Sequence, residues 1–137
     1  MDMKETVAEI MTAQVITLDE KASLKEAVSL LRKHKIRHLP VINGNRIVGI
    51  ISRTDINRLT FGVLMDNQED ADDTILDMLT VPQVMSSKPR VVSKSQTVEE
   101  VAKIFTSEDF HALPVVDDGE LYGIVTTTDV IRYMLQK

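Results

Sequence analysis

The sequence predicts an α/β (α+β) protein in which one small unit is used twice, each copy running helix-strand-helix-strand-strand-helix. Three observations carry this. Residues 7–59 fall on residues 81–133 without a gap, so that Leu39-Pro40-Val41 meets Leu113-Pro114-Val115 and Thr54-Asp55 meets Thr128-Asp129. Substitutions between the copies keep class, as in Ile10/Val84, Ser23/Thr97 and Ile47/Leu121. Each copy also holds one segment with helical apolar spacing and one pair of aliphatic runs around Asn-Gly or Asp-Gly, the mark of a tight hairpin.

The elements follow in order. Thr6-Val7-Ala8-Glu9 and Thr80-Val81-Pro82-Gln83 have capping-box spacing and predict short opening helices, with Pro82 tolerated in the first turn. Val15–Leu18 and Arg90–Val92 read as short extended segments. Ser23-Leu24-Lys25-Glu26 and Thr97-Val98-Glu99-Glu100 open a second helix in each copy. Its apolar positions, Leu24, Ala27, Val28, Leu31 and Val98, Val101, Ala102, Phe105, make one buried face. Leu39–Ile42 and Ile47–Ile51 form the first hairpin, Leu113–Val116 and Leu121–Val125 the second. A closing helix begins at Ser52 or Thr126 and carries Ile56 and Leu59, or Val130 and Met134.

This divides the chain into a first repeat over 1–62, a linker over 63–79 and a second repeat over 80–137. Phe61, Val63, Leu64 and Met65 extend the helix before the linker, and Thr74–Leu79 reads as a helical turn. Asp66 to Asp73 is an acidic run, read as a solvated linker because it lacks the glycine and spacing of a calcium loop.

Composition excludes several functions. With 43% apolar and 27% charged residues, the chain is that of an ordinary globular protein. No apolar run approaches the ~20 residues that span a bilayer, and the polar N-terminus does not read as a signal peptide. The lack of cysteine removes disulfides, thiol nucleophiles and thiolate metal sites, and fits the cytoplasm. A net charge of −5 and only 4% aromatic residues oppose nucleic acid as a partner.

The most informative stretch is Gly49-Ile50-Ile51-Ser52-Arg53-Thr54-Asp55, repeated as Gly123-Ile124-Val125-Thr126-Thr127-Thr128-Asp129. A buried strand runs here straight into a helix N-terminus, where free N–H groups, a partial positive charge and a hydroxyl suit an anion, phosphate above all. Spacing alone leaves two roles open. Ser52 and Thr126 can be plain N-caps with Asp55 and Asp129 as their box partners, or all four can contact a ligand.

The duplicated units resemble a pair of CBS (cystathionine-β-synthase) domains, a Bateman module. The resemblance rests on Val7–Thr12 echoed by Val81–Ser86, on His38-Leu39-Pro40-Val41 with Ala112-Leu113-Pro114-Val115, and on the Gly-aliphatic-aliphatic-Ser/Thr-x-x-Asp stretch. It implies two pseudo-twofold-related repeats packed through their small sheets, with clefts that take adenosine derivatives: AMP, ADP or ATP, and in some members S-adenosylmethionine or a dinucleotide such as NAD. It implies ribose contacts for Asp55 and Asp129, and phosphate contacts for Ser52, Arg53, Thr54, Thr126, Thr128, Arg37, His38 and His111. A carboxylate can accept from both hydroxyls of a vicinal diol, which agrees. Adenine would lie against Val15, Ile16 and Pro40 in one copy and Arg90, Val91 and Pro114 in the other. Arg37, His38 and Arg53 face His111, Ala112 and Thr127 across the repeat, so the two sites are expected to be unequal.

No catalytic constellation is present. His34, His38 and His111 lack a ligand spacing, no serine sits in a Gly-x-Ser-x-Gly elbow, and no glycine-rich loop precedes a lysine. The seven methionines read as core or interface filler. The expectation is a non-enzymatic, stand-alone ligand sensor with no required cofactor and no metal. The resemblance further implies a disc-like homodimer that signals to a regulated protein. The alternative is a structural or interaction module whose clefts bind nothing.

Overall fold

The structure, a computed structural model, describes residues 3–65 and 75–136, and the side chains of residues 60–65 are outside that description. The acidic run from Asp66 to Asp73 therefore lies outside the described residues. The elements are a 3-10 turn (Val7–Glu9), β1 (Leu18–Asp19), α1 (Leu24–Lys33), β2 (His38–Asn43), β3 (Arg46–Ser52), α2 (Arg53–Met65), α3 (Val81–Val84), β4 (Ser86–Ser87), β5 (Val92–Ser93), α4 (Val98–Ser107), β6 (Ala112–Asp117), β7 (Glu120–Thr126) and α5 (Thr127–Leu135). Residues 75–78 form a further helical turn.

The chain forms two compact units that interleave the repeats. One comprises Ile16–Gly44 and Val48–Lys88; the other comprises Met1–Val15, Asn45–Ile47 and Pro89–Lys137. The opening segment of each sequence repeat thus belongs to the unit that holds the other repeat's hairpin. In the first unit β1 pairs in parallel with β2, with Leu18 opposite Val41, and β4 pairs antiparallel with β3, with Ser86 opposite Ile50. In the second unit β5 pairs in parallel with β6, with Val92 opposite Val115, and β6 with β7 make the hairpin. There Thr12 takes the place that Ser86 holds in the first unit, exchanging backbone bonds with Ile124 at 2.8 and 3.0 Å.

Each unit has its own core. Leu18, Leu24, Ala27, Leu31, Leu39, Val41, Ile51, Ile56, Leu76 and Val81 pack in one; Val7, Val92, Val98, Val101, Ile104, Leu113, Val115, Val125, Val130 and Tyr133 pack in the other. Each buried valine, leucine or isoleucine among them contributes about 1.5–3 kcal/mol relative to exposure. The helical spacing of α1 and α4 comes out with Val28, Ala102 and Phe105 only half-buried and Ile104 more deeply placed than expected. Met134 does not serve the core. It is 42% exposed, and Tyr133, one position earlier on α5, is buried instead.

The local signals also sort themselves. Ser23 Oγ accepts from the Glu26 N–H at 3.1 Å, and Thr97 with Glu100 forms a complete capping box. Thr6 makes no such bond: in this 3-10 turn the third-residue N–H, that of Glu9, donates to the Thr6 carbonyl at 3.1 Å instead of to its hydroxyl. The two hairpins turn differently. Asp118 and Gly119 both have positive φ, the pattern of a I′ turn, whereas in the first hairpin only Gly44 does, the pattern of II′. The extended segments sit later than expected, with their pairing residues at Leu18–Asp19 and Val92–Ser93.

Candidate functional site

The repeated strand-to-helix junctions are built identically, one in each unit. In the first, the Ser52 N–H donates to Asp55 Oδ2 at 3.0 Å, and the Asp55 N–H donates to Ser52 Oγ at 3.0 Å. In the second, the Thr126 N–H donates to Asp129 Oδ2 at 2.9 Å, and the Asp129 N–H donates to Thr126 Oγ1 at 3.1 Å. Both are closed capping boxes. The capping role left open by spacing is therefore in use at both places, and it consumes one oxygen of each carboxylate.

The supply of free helix-end donors is smaller than the sequence suggests. The Arg53 N–H donates to the Arg37 carbonyl at 2.8 Å, and the Thr127 N–H to the His111 carbonyl at 3.1 Å. With the third-residue N–H taken by the cap, only the Thr54 and Thr128 N–H groups lack an acceptor in the first turn, among the described residues. Their hydroxyl-bearing side chains are exposed. These bonds have a second effect: they tie the start of β2 to the start of α2, and β6 to α5. Arg37 and His38 are thereby brought beside Ser52 to Asp55, and His111 beside Thr126 to Asp129. Arg37 and His111 are exposed and His38 is half-buried.

The two junctions differ in their cations. The Arg53 guanidinium turns back on its own unit, with Nη2 at 3.4 Å from the carbonyls of both Leu31 and Ile36. Those carbonyls mark the end of α1, where the Ile36 N–H returns to Leu31 and the Lys35 N–H to Arg32. Lys35 takes the positive φ that such a helix end requires, in the place usually given to glycine. Arg53 thus acts as a cation at a helix C-terminus, where the dipole favours it. In the second unit Arg132 Nη1 lies 3.7 Å from Asp129 Oδ1, and the Asp129 side chain is only 11% exposed. Its equivalent, Arg58, makes no ion pair with Asp55 among the described residues. The i, i+3 spacing of Asp129 and Arg132 on one helix face carried that signal.

Of the residues expected near adenine, Pro40 and Pro114 are buried in the middle of β2 and β6 and offer little surface to a ligand. Each precedes a registered pair, Leu18–Val41 or Val92–Val115. Ile16 and Val91 lie half-buried at the approach to β1 and β5, and Val15 is also half-buried. Arg90 is exposed, with Nε at 3.5 Å from Glu108 Oε2. Among the described residues no group of three or more His, Asp or Glu side chains is placed to hold a metal, and no described helix is long and apolar enough to cross a membrane.

Comparison with known proteins gives a consistent picture. The family model described as the CBS domain matches residues 7–61 and again residues 81–136. Protein MJ1225 of Methanocaldococcus jannaschii is 31% identical over 96% of this chain, which covers 44% of that protein. An inosine-5'-monophosphate dehydrogenase of Korarchaeum cryptofilum is 36% identical over 85% of this chain but only 21% of its own length. The chain thus spans less than half of either relative. Among solved structures, CBSX2 in complex with AMP superposes with a TM-score of 0.80 at 33% identity, covering 96% of this chain and 97% of that one. CBSX2 is a CBS-pair protein from Arabidopsis thaliana. The CBS domain pair of protein MJ0100, solved with 5'-methylthioadenosine and S-adenosyl-L-methionine, gives a TM-score of 0.78 at 27% identity, covering 96% of this chain and 96% of that one.

Proposed function

This chain belongs to the CBS-domain family as a tandem pair, and from that premise we propose that it is a regulatory module, without catalysis of its own, that binds an adenosine-containing ligand and signals to a partner protein. The observation that carries the reading is the paired junction. At each strand-to-helix turn, a hydroxyl, a carboxylate with one oxygen outside the capping bond, and one unpaired first-turn N–H come together. That set matches the needs of a nucleoside phosphate: an acceptor for the ribose diol and donors for phosphate. The complex of CBSX2 with AMP supports the ligand class, with ADP, ATP, NAD and S-adenosylmethionine as the other candidates.

In this reading Asp55 and Asp129 accept from ribose. Ser52, Thr54, Thr126 and Thr128 meet phosphate, with Arg37, His38 and His111 at its outer edge. Arg53 contributes to phosphate only by releasing the carbonyls of Leu31 and Ile36. The ligand favours one arrangement of the protein over another, and the partner reads the difference. We assign the module to the cytoplasm on its lack of cysteine and its nucleotide ligand. We assign it a homodimeric state on the apolar stripe that α5 leaves exposed, Ile131, Met134 and Leu135.

A second reading has its own support. Both junctions are complete capping boxes, a role that a purely structural module would also give these four residues. Thermal melting with a panel of AMP, ADP, ATP, NAD and S-adenosylmethionine separates the two. A ligand at 100 times its dissociation constant adds about 2.7 kcal/mol, several degrees for a domain of this size. No shift with any member leaves the structural reading standing.

A further inference from the structure

The outer face of α1 lines a groove whose cationic rim is not repeated in the sequence of the duplicated helix. It is a cleft of about 490 Å³ lined by Lys25, Val28, Ser29, Arg32, Lys33 and Leu76. Val28 and Leu76 supply an apolar floor, and three cations stand on the rim. Lys25 already holds one carboxylate there, with Nζ at 3.2 Å from Asp77 Oδ1. Arg32 and Lys33 are exposed and make no ion pair among the described residues. This cluster sits in a protein of net charge −5.

The duplication supplies an internal control. The equivalent face of α4 carries Glu99, Ala102, Lys103, Thr106 and Ser107, and its one cation, Lys103, is paired with Glu99 at 3.6 Å. Both helices bury the same kind of apolar face, so the fold does not call for the cations of α1. Favourable charge at a helix C-terminus accounts for Arg32 and Lys33 individually, but not for Lys25 in the first turn or for the apolar floor between them.

We propose that this groove is the docking surface for an acidic amphipathic helix of a partner protein, with aliphatic side chains on Val28 and Leu76 and carboxylates on Arg32 and Lys33. The inference rests on the regulatory reading for its purpose only; the binding it predicts needs no nucleotide. Apolar side chains flanked by exposed cations match the two faces of an acidic amphipathic helix, and base stacking would need aromatic side chains that the cleft lacks.

The test uses the intact protein and a fluorescent peptide of about 18 residues, long enough for helix formation, with leucines at i, i+3, i+4 and i+7 flanked by glutamates. Anisotropy is expected to report binding that weakens roughly tenfold or more in the double variant R32E/K33E, as lost carboxylate contacts require. The K88E variant, outside the groove, is expected to bind as the parent does. A peptide with lysine for glutamate is expected to regain affinity for R32E/K33E, and a scrambled peptide of equal charge is expected not to bind. Melting with AMP is expected to shift equally in parent and R32E/K33E, so that loss of docking is told apart from loss of the nucleotide site. Equal binding of the ordered and scrambled peptides overturns the proposal, as does unchanged affinity in R32E/K33E. Binding of anionic vesicles or single-stranded DNA that R32E/K33E abolishes while the peptide does not bind overturns it as well.

Discussion

The side chain of Met11 covers Gly123. A Cβ built on Gly123 would lie 3.1 Å from Met11 Cγ and 2.8 Å from the Thr12 carbonyl oxygen. The same relationship recurs in the other unit, where a Cβ on Gly49 would lie 2.8 Å from Met85 Cγ and 3.0 Å from the Ser86 carbonyl oxygen. The two landmarks at the ends of each repeat, the methionine and the glycine, therefore meet crosswise, each methionine over the glycine of the other repeat.

Alanine at Gly123 is expected to destabilise. Replacing a strand glycine gains about 0.5–1 kcal/mol from backbone entropy, but overpacking costs about 1–3 kcal/mol. The methionine can swing away, whereas the Thr12 carbonyl is held by its bond from Ile124 at 3.0 Å. The net loss should be about 1–2 kcal/mol. Urea melts of Gly123→Ala, Met11→Ala and the double variant check this. If the methionine contributes to the clash, the double variant recovers part of the loss; strict additivity would leave the Thr12 carbonyl as its cause.

That crosswise contact also marks what could be read in advance. The matched Met11/Met85 and Gly49/Gly123 were visible as a repeat, but their pairing was not, because a chain duplication says nothing about which copy supplies each opening segment. Elements with local signals were legible: α1 and α4 from their apolar spacing and caps, the hairpins from Asn-Gly and Asp-Gly. Where a tertiary partner decides, the reading slipped. Tyr133, one position before Met134 on α5, packs in the cluster with Val130, Val125 and Leu113, and Met134 is left exposed. At the candidate site, Ser52, Asp55, Thr126 and Asp129 were found by spacing. The diversion of the Arg53 guanidinium was not, since it depends on how α1 ends at Lys35.

The box and the ligand make different demands on Asp55 and Asp129, and asparagine separates them. Asn can still accept from the Ser52 or Thr126 N–H, so Asp55→Asn and Asp129→Asn should lose no more than about 0.5–1 kcal/mol of stability. The charge that holds a ribose diol is lost, and calorimetric affinity for AMP should fall about tenfold or more at the altered site. Ser52→Ala and Thr126→Ala should do the reverse in part, costing about 1 kcal/mol of stability each. If the asparagine variants bind AMP unchanged, the carboxylates are caps alone.

The sites should also differ in their response to phosphate number. Arg37 is exposed beside Ser52, where the second unit has His111 beside Thr126. Paired titrations with AMP and ATP should resolve two unequal sites, and Arg37→Ala should lower the ATP-to-AMP affinity ratio at one of them about tenfold, the worth of one charge-assisted bond. Arg53→Ala should instead show mainly as lost stability, since its guanidinium serves the end of α1. Two equal, independent sites with both nucleotides would contradict the asymmetry.

Acid should weaken the start of α4. Hydrogen bonds from Gln96, and then from the Thr97 N–H and hydroxyl, hold the Glu100 carboxyl below the usual glutamate range. Because the folded form favours the ionised group, its contribution is fully present above the unfolded glutamate pKa of about 4.3 and is lost as pH falls through the lower folded value. Glu100→Gln should therefore melt below the parent at neutral pH, and the gap should close as the buffer is taken down through the carboxylate range. Glu26, at the equivalent place on α1, donates its N–H to Ser23 Oγ, and its carboxylate accepts no return bond from Ser23 among the described residues, so Glu26→Gln should show a smaller gap at neutral pH. A gap for Glu100→Gln that persists unchanged into acid would mean that the loss comes from packing or helix propensity rather than from the charged cap.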